Sequence, residues 1–114
     1  MTLEEILSNV NNNIRRIVDE LRKRIENISG VEEIVDKRRI IYKYSGKDFC
    51  MINIKKDYLE IDFVLDNTIE DPMEFSWKIK PAKKDTFNRR MHIKNMSNIE
   101  IVFGLIFQSY NFVK

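Results

Sequence analysis

Apolar and polar side chains alternate through residues 48–65, which read DFCMINIKKDYLEIDFVL. The polar pair Lys56 and Asp57 divides this stretch into two halves. The apolar positions that share one side are Cys50, Ile52 and Ile54 in the first half, and Leu59, Ile61, Phe63 and Leu65 in the second. A period of two is typical of half-buried strands, so the pattern predicts an antiparallel hairpin that turns at Lys56 and Asp57.

The first 28 residues follow a helical period instead. Thr2 and Glu5 have the spacing of a capping box, and Gly30 suits a helix stop. The apolar stripe between them consists of Leu3, Leu7, Val10, Ile14, Ile17, Leu21, Ile25 and Ile28. The pattern predicts one helix over residues 3–28, although asparagines at 11–13 are poor helix formers and leave a break open. We expect this apolar stripe to pack on a sheet. The alternative is that its N-terminal part pairs with a second subunit.

Further strands are predicted over residues 39–44, 73–79 and 90–94, and residues 31–35 are either a strand or a connection. Residues 66–72 have loop chemistry, and residues 82–89 form a basic, polar connection. Pro81 ends the strand before it because proline has no N–H for a sheet ladder.

The C-terminal segment predicts a second helix that starts with a capping box at Ser97 and Glu100. Its expected buried stripe is Ile99, Val102, Phe103, Ile106, Phe107 and Tyr110. Ile101 and Leu105 make this helix apolar nearly all round, as in a helix that is central to a core or lies under a partner. The whole chain therefore predicts a single α+β domain over residues 1–114. It has an N-terminal helix, an antiparallel sheet of four or five strands and a C-terminal helix, with both helices packed on one face of the sheet.

Composition agrees with a packed domain, since 43% of the 114 residues are hydrophobic. The single cysteine, Cys50, lies in an apolar run and is expected to be a buried hydrophobe in a reducing compartment. The N-terminus does not have the pattern of a signal peptide, and no apolar run approaches the about 20 residues that span a bilayer. We expect a cytoplasmic protein without a membrane partner.

The net charge of +2 hides a strong local asymmetry. Residues 48–71 carry 2 basic and 7 acidic side chains, whereas residues 72–114 carry 8 basic and 3 acidic ones. A second basic group lies near two tyrosines and consists of Lys37, Arg38, Arg39 and Lys43. Clustered carboxylates can hold a divalent cation, but the acidic group lacks an EF-hand spacing, and a solvated strand face is the favoured interpretation.

Cations and aromatic rings are interleaved within residues 77–94, where Phe87 is one of the rings. Such a mixture supplies phosphate contacts and base stacking, so it predicts a surface for DNA or RNA. The predicted nucleic-acid-binding residues are Trp77, Lys78, Lys80, Lys83, Lys84, Arg89, Arg90 and His92. The alternative is that these charges only solvate sheet edges and prevent aggregation.

Signatures of catalysis are missing from the sequence. The only histidine, His92, and the only cysteine, Cys50, lie in different predicted strands, and no metal-binding, P-loop or dinucleotide motif occurs. We therefore predict no catalytic residue, no metal site and no cofactor. The favoured hypothesis is a non-enzymatic binding module that acts through the basic surface at 77–94. The alternative is a protein-interaction module or homodimer that uses the first and last helices.

The order of motifs resembles a family of small bacterial and archaeal domains of unknown function, numbered 5655. The resemblance covers residues 14–110 and rests on the strands at 41–43, 49–54 and 59–63, the acidic turn at 70–72 and the closing helix, whose end reads IFQSY. In larger members such a domain follows a restriction-endonuclease-like domain, in proteins described as predicted transport proteins. The association with such a domain implies an accessory role connected with nucleic acids or defence. Many members carry a Gly-His-Trp-Gly-type loop before the last strand, whereas residues 83–90 read KKDTFNRR here, a basic replacement that suits anions.

Overall fold

Two helices, α1 (Leu3–Leu7) and α2 (Asn12–Glu26), open the chain in the computed structural model, which describes residues 2–65, 71, 75–81 and 86–114. The predicted N-terminal capping box is confirmed, because the Glu5 N–H donates to the Thr2 hydroxyl at 3.2 Å and the Glu5 carboxylate accepts from the Thr2 N–H. The single helix over 3–28 is wrong. The side chain of Asn11 accepts a hydrogen bond from the N–H of Ile14 at 2.9 Å, so this asparagine caps a new helix.

Six strands follow within the described residues, one more than the largest number predicted. They are β1 (Val31–Asp36), β2 (Arg39–Tyr44), β3 (Lys47–Ile54), β4 (Leu59–Phe63), β5 (Trp77–Lys78) and β6 (Arg89–Ile93). All pairs are antiparallel, in the order β1-β2-β3-β4-β6-β5. The α+β class and the hairpin of β3 and β4 are confirmed, and the stretch at 31–35 is a strand. The predicted strand at 73–79 is reduced to two residues, and its first two positions lie outside the described residues.

One face of the sheet is built from buried apolar side chains. Ile40, Ile52, Ile61 and Met91 are successive cross-strand partners from β2 to β6, and each is fully buried. The buried residues of the helices Asn12–Glu26 and Ile99–Val113 belong to the same hydrophobic core. Burial of these side chains is the main stabilising contribution to the fold. That both helices pack on one face of the sheet stays a prediction.

The C-terminal helix α3 (Ile99–Val113) starts differently from the prediction. A short 3₁₀ turn, Met96–Asn98, precedes it, and the side chain of Asn95 accepts the N–H of Ser97 at 3.0 Å. The capping box at Ser97 and Glu100 is therefore wrong, because Asn95 takes the capping role and Glu100 instead pairs with Arg24 at 2.8 Å.

The buried stripe of α3 is also rotated relative to the predicted one. Leu105 and Ser109 are buried, whereas Phe107 is 41% exposed. Ser109 is held by the sheet, since its hydroxyl accepts the N–H of Val64 at 2.9 Å and lies against the carbonyl oxygens of Phe49 and Val64. The polar side chain is buried because the backbone of the sheet satisfies it. Within the described residues, no helix is both long and apolar enough to span a bilayer.

Candidate nucleic-acid interface

The second face of the sheet carries polar and aromatic side chains. Arg39, Asn53, Glu60 and His92 are successive cross-strand partners on β2, β3, β4 and β6. Each is one residue away from the buried row that contains Ile52, so its side chain points to the opposite side of the sheet. We call this side the outer face. The neighbouring outer-face row contains Ile41, Met51, Asp62, Arg90 and Trp77.

Three ring side chains adjoin one another on the outer face. The ring centroids of Tyr58 and His92 are 4.6 Å apart, and those of His92 and Trp77 are 4.9 Å apart with planes at 81°. Trp77 is 43% exposed on the edge strand, and His92 is exposed beside it. We call Tyr58, His92 and Trp77 the aromatic strip. Exposed rings of this kind are what unpaired bases stack on.

Arg90 is bound within the sheet. Its guanidinium donates to both carboxylate oxygens of Asp62, at 2.7 and 3.2 Å, and its Nε lies 3.6 Å from Glu60. The hydrogen bond to Asp62 raises the pKa of Arg90, and Asp62 itself is only 2% exposed. The bidentate pair fixes the guanidinium and neutralises most of its charge. Glu60 also contacts His92 Nε2 at 3.2 Å, which orients the central ring of the aromatic strip.

Arg89 holds the segment that precedes β5. Its guanidinium donates to the backbone oxygen of Ser76 at 2.9 Å and to the Ser76 hydroxyl at 2.9 Å. Asp71, which lies 3.8 Å from Arg89, accepts the backbone N–H groups of Phe75 and Ser76 and the Ser76 hydroxyl. Burial raises the pKa of Asp71, but the hydrogen bonds from Ser76 and Phe75 outweigh it, so the pKa is lowered on balance. These contacts place Trp77 at the edge of the sheet.

The predicted lysines fall into two groups. Lys78 and Lys80 are exposed, and neither forms an ion pair with any residue that the structure describes. Lys83 and Lys84 lie outside the described residues. The described part of the predicted interface therefore contributes the rings of Trp77 and His92, two exposed lysines and two arginines that are bound internally.

Phe87 is not an accessible ring. It is 3% exposed and packs with Met51 and Val64 in a second hydrophobic cluster, which Ile41 and Ile79 flank. Two of these side chains, Ile41 and Met51, belong to the outer face, so the cluster covers part of it.

Groups that could support other chemistry are scarce in the described residues. Cys50 is fully buried, and burial raises the pKa of its thiol, as expected for an unreactive cysteine. No cluster of three or more histidine, cysteine, aspartate or glutamate side chains able to hold a metal occurs among the described positions.

Tyr58 is a member of the aromatic strip that the sequence did not identify. It directly precedes β4 and lies on the same side as Glu60, the cross-strand partner of His92. The alternation along β4 shows that Tyr58 and Glu60 lie on the same side. It does not show that β4 pairs with β6, because these strands lie 25 residues or more apart in the chain and no local pattern gives their register.

The profile of one protein family, DUF5655, described as a domain of unknown function, matches residues 3–113. This match agrees with the resemblance seen in the motifs and extends it over nearly the whole chain. No curated protein and no solved structure is significantly similar to the chain.

Proposed function

The chain belongs to the DUF5655 family of domains of unknown function, and we propose that it is a non-enzymatic module that binds single-stranded nucleic acid on the outer face of its sheet. One observation carries the proposal: the exposed rings of Trp77 and His92 lie in contact on the outer face. Exposed aromatic rings cost free energy in water, and base stacking would recover it.

The arrangement favours single strands over duplexes. Bases in a duplex are stacked on one another and present only their edges, whereas unpaired bases can lie flat on protein rings. The aromatic strip lies on one face of a sheet and not on a projecting helix that could enter a major groove. DNA and RNA both satisfy this chemistry, and comparing the two is part of the test.

In this proposal Lys78 and Lys80 supply phosphate contacts at the edge of the sheet. Alternation places Lys78 on the opposite side of β5 from Trp77, so a bound strand would reach it as it passes this edge. We assign Arg89 and Arg90 a structural role, because their guanidinium groups are bound to Ser76 and Asp62. Arg89 holds the segment before the edge strand that carries Trp77, and Arg90 joins β6 to β4. A strand bound here would serve an accessory role connected with nucleic acids or defence, as the family's association with restriction-endonuclease-like domains implies.

Fluorescence anisotropy with labelled oligothymidylate and oligouridylate tests this proposal. Trp77→Ala should weaken binding by roughly 5- to 150-fold, because stacking on one aromatic ring is worth about 1–3 kcal/mol per base. Phe112→Ala is the matched control, since Phe112 is 50% exposed but lies on α3 and outside the aromatic strip. Equal binding by both variants and the unmodified chain, or no binding to either oligonucleotide at low salt, would exclude this function.

A second candidate function is protein interaction or homodimer formation through α3. Ile101, Phe107 and Phe112 are exposed on this helix, and a Cβ at Gly104 would have open space around it. Exposed apolar side chains grouped on one element are a feature of contact surfaces. Light scattering on the unmodified chain and on the Phe107→Ser, Phe112→Ser double variant tests it. A monomer at high concentration in both cases would contradict the homodimer.

A further inference from the structure

A groove of about 440 Å³ lies at the end of the sheet where two hairpin turns meet. One turn joins β1 to β2 and contributes Lys37 and Arg38, and the other joins β3 to β4 and contributes Lys55 and Lys56. The remaining lining residues are Arg39, Asn53 and Ile54. Five of the seven lining residues are cations and none is an acid, in a chain whose net charge is only +2.

Two hydrogen bonds connect the two turns. The N–H of Ile54 donates to the carbonyl oxygen of Arg38 at 2.8 Å, and the Arg38 Nε donates to the carbonyl oxygen of Ile54 at 3.3 Å. The backbone of the two turns that line the groove is therefore held in place before any ligand binds. Preorganised walls reduce the entropy cost of binding.

Lys37 adopts an unusual backbone conformation at this site. Its φ is 58°, in the left-handed region that glycine and asparagine favour. Lys37 is the first of the two residues that join β1 to β2, and positive φ is what short hairpin turns require; Ser45 in the next turn has a φ of 51° as well. Lys37 contributes one of the cations that line the groove.

The cations of the groove are mostly uncompensated. Arg39 pairs with Asp36 at 2.9 Å, and no ion pair of Lys37, Arg38, Lys55 or Lys56 is found with a residue in the described part of the chain. A cleft lined by charges of one sign concentrates the field and attracts an ion of the opposite sign.

We propose that this groove is a binding site for a phosphate-bearing ligand. Lysine ammonium groups and the arginine fork bind phosphate oxygens by charge-assisted hydrogen bonds, and Asn53 adds a neutral donor. The volume is within the range of small-ligand sites. The phosphate has two possible sources, the backbone of a nucleic-acid strand or a small free phosphorylated molecule. The site does not depend on the aromatic strip, although Arg39 and His92 share one outer-face row about three strand spacings, or about 14 Å, apart.

Isothermal titration calorimetry with inorganic pyrophosphate tests the site on the full chain. The double variant Lys37→Gln, Lys55→Gln should weaken pyrophosphate binding about tenfold or more, because two charge-assisted contacts are lost. Lys23→Gln, Lys47→Gln is the matched control, since it removes the same charge from exposed lysines outside the groove. Circular dichroism verifies that both variants keep the fold.

A second titration with oligothymidylate separates the two sources. If the groove variant loses affinity for both pyrophosphate and oligothymidylate, the groove holds backbone phosphates. If it loses affinity for pyrophosphate alone, the groove serves a free small anion. Trp77→Ala should leave pyrophosphate binding unchanged, so failure of the stacking proposal and failure of this one are distinguishable. No pyrophosphate binding at low salt, or equal loss in the groove and control variants, would overturn the inference.

Discussion

The guanidinium of Arg90 on β6 forms a bidentate hydrogen bond with Asp62 on the neighbouring strand β4, at 2.7 and 3.2 Å. The two residues are 28 positions apart in the sequence, and Asp62 is almost completely buried. The pair joins the acidic hairpin to the basic segment that follows it. Arg90, which the sequence predicts as a nucleic-acid contact, thus forms a structural contact between two strands.

Loss of the Arg90–Asp62 pair should destabilise the fold. Arg90→Gln should lower the free energy of unfolding by about 2–3 kcal/mol, because it leaves a buried carboxylate without its charged partner. Urea denaturation measures this loss. Arg15→Gln is the control, since Arg15 pairs with the exposed Glu4 and the change should cost less than about 1 kcal/mol. Similar losses in both variants would contradict the structural role of Arg90.

Lys78 and Lys80 should determine part of the salt dependence of nucleic-acid binding. Each phosphate contact that is removed lowers the slope of log K against log salt by about 0.7 for a single strand. Lys78→Gln, Lys80→Gln should therefore reduce the slope by about 1.4, measured by anisotropy over a salt series. Lys23→Gln, Lys47→Gln should keep the original slope, and a reduction in this control instead would place the phosphate contacts elsewhere.

Ser109 should stabilise the folded protein although its side chain is polar. Ser109→Ala removes the acceptor for the buried N–H of Val64 and should cost about 1–3 kcal/mol in thermal or urea unfolding. Asn111→Ala, at an exposed position of the same helix, should stay within about 0.5 kcal/mol. An unchanged stability of Ser109→Ala would show that α3 does not depend on this contact.

The acid stability of the protein should depend on Glu33. Hydrogen bonds from Arg22, at 2.8 and 3.0 Å, lower the pKa of Glu33 below its ordinary value of 4.5 despite the opposing effect of burial, and Tyr42 adds a bond at 2.7 Å. A lowered folded-state pKa gives stability that is complete above 4.5 and is lost as the pH falls through the folded value. Glu33→Gln should therefore cost about 2 kcal/mol at neutral pH and progressively less in acid.

The matched control for Glu33 is Glu26→Gln. Glu26 lies 3.7 Å from the same arginine but is 56% exposed, so its replacement should change the unfolding free energy little at any pH. Unfolding curves recorded over a pH series measure both variants. A cost of Glu33→Gln that is constant with pH would argue against the ionised pair.

Local patterns in the sequence predicted most of the fold. The alternation in residues 48–65 identified β3 and β4 because each strand buries one side, which is a property of neighbouring residues. The starts of the helices were harder to predict, because several side chains that can cap a helix lie within a few positions of one another. Asn11 starts a second helix, and Asn95 takes the capping role expected of Ser97. Phe107 was expected in the buried stripe but is exposed, whereas Ser109 is buried through hydrogen bonds to backbone groups that only the tertiary structure brings to it.

The candidate site was predictable only in part. The sequence identified Trp77 and His92 by their chemistry, but the contact between them depends on the pairing of β5 with β6. Tyr58 joined the site through the register of β4 with β6, and the groove combines two turns that are far apart in the chain. Such features arise from long-range pairing, which a local hydrophobic period does not encode.

The fluorescence of Trp77 tests the central proposal most directly, because this residue is the only tryptophan of the chain and belongs to the aromatic strip. Titration of the unmodified protein with oligothymidylate or oligouridylate at low salt should quench the emission in a saturable way, since a base would stack on the indole ring. High salt should reverse the quenching. An emission that stays unchanged while anisotropy reports binding, or no binding at all, would contradict the account.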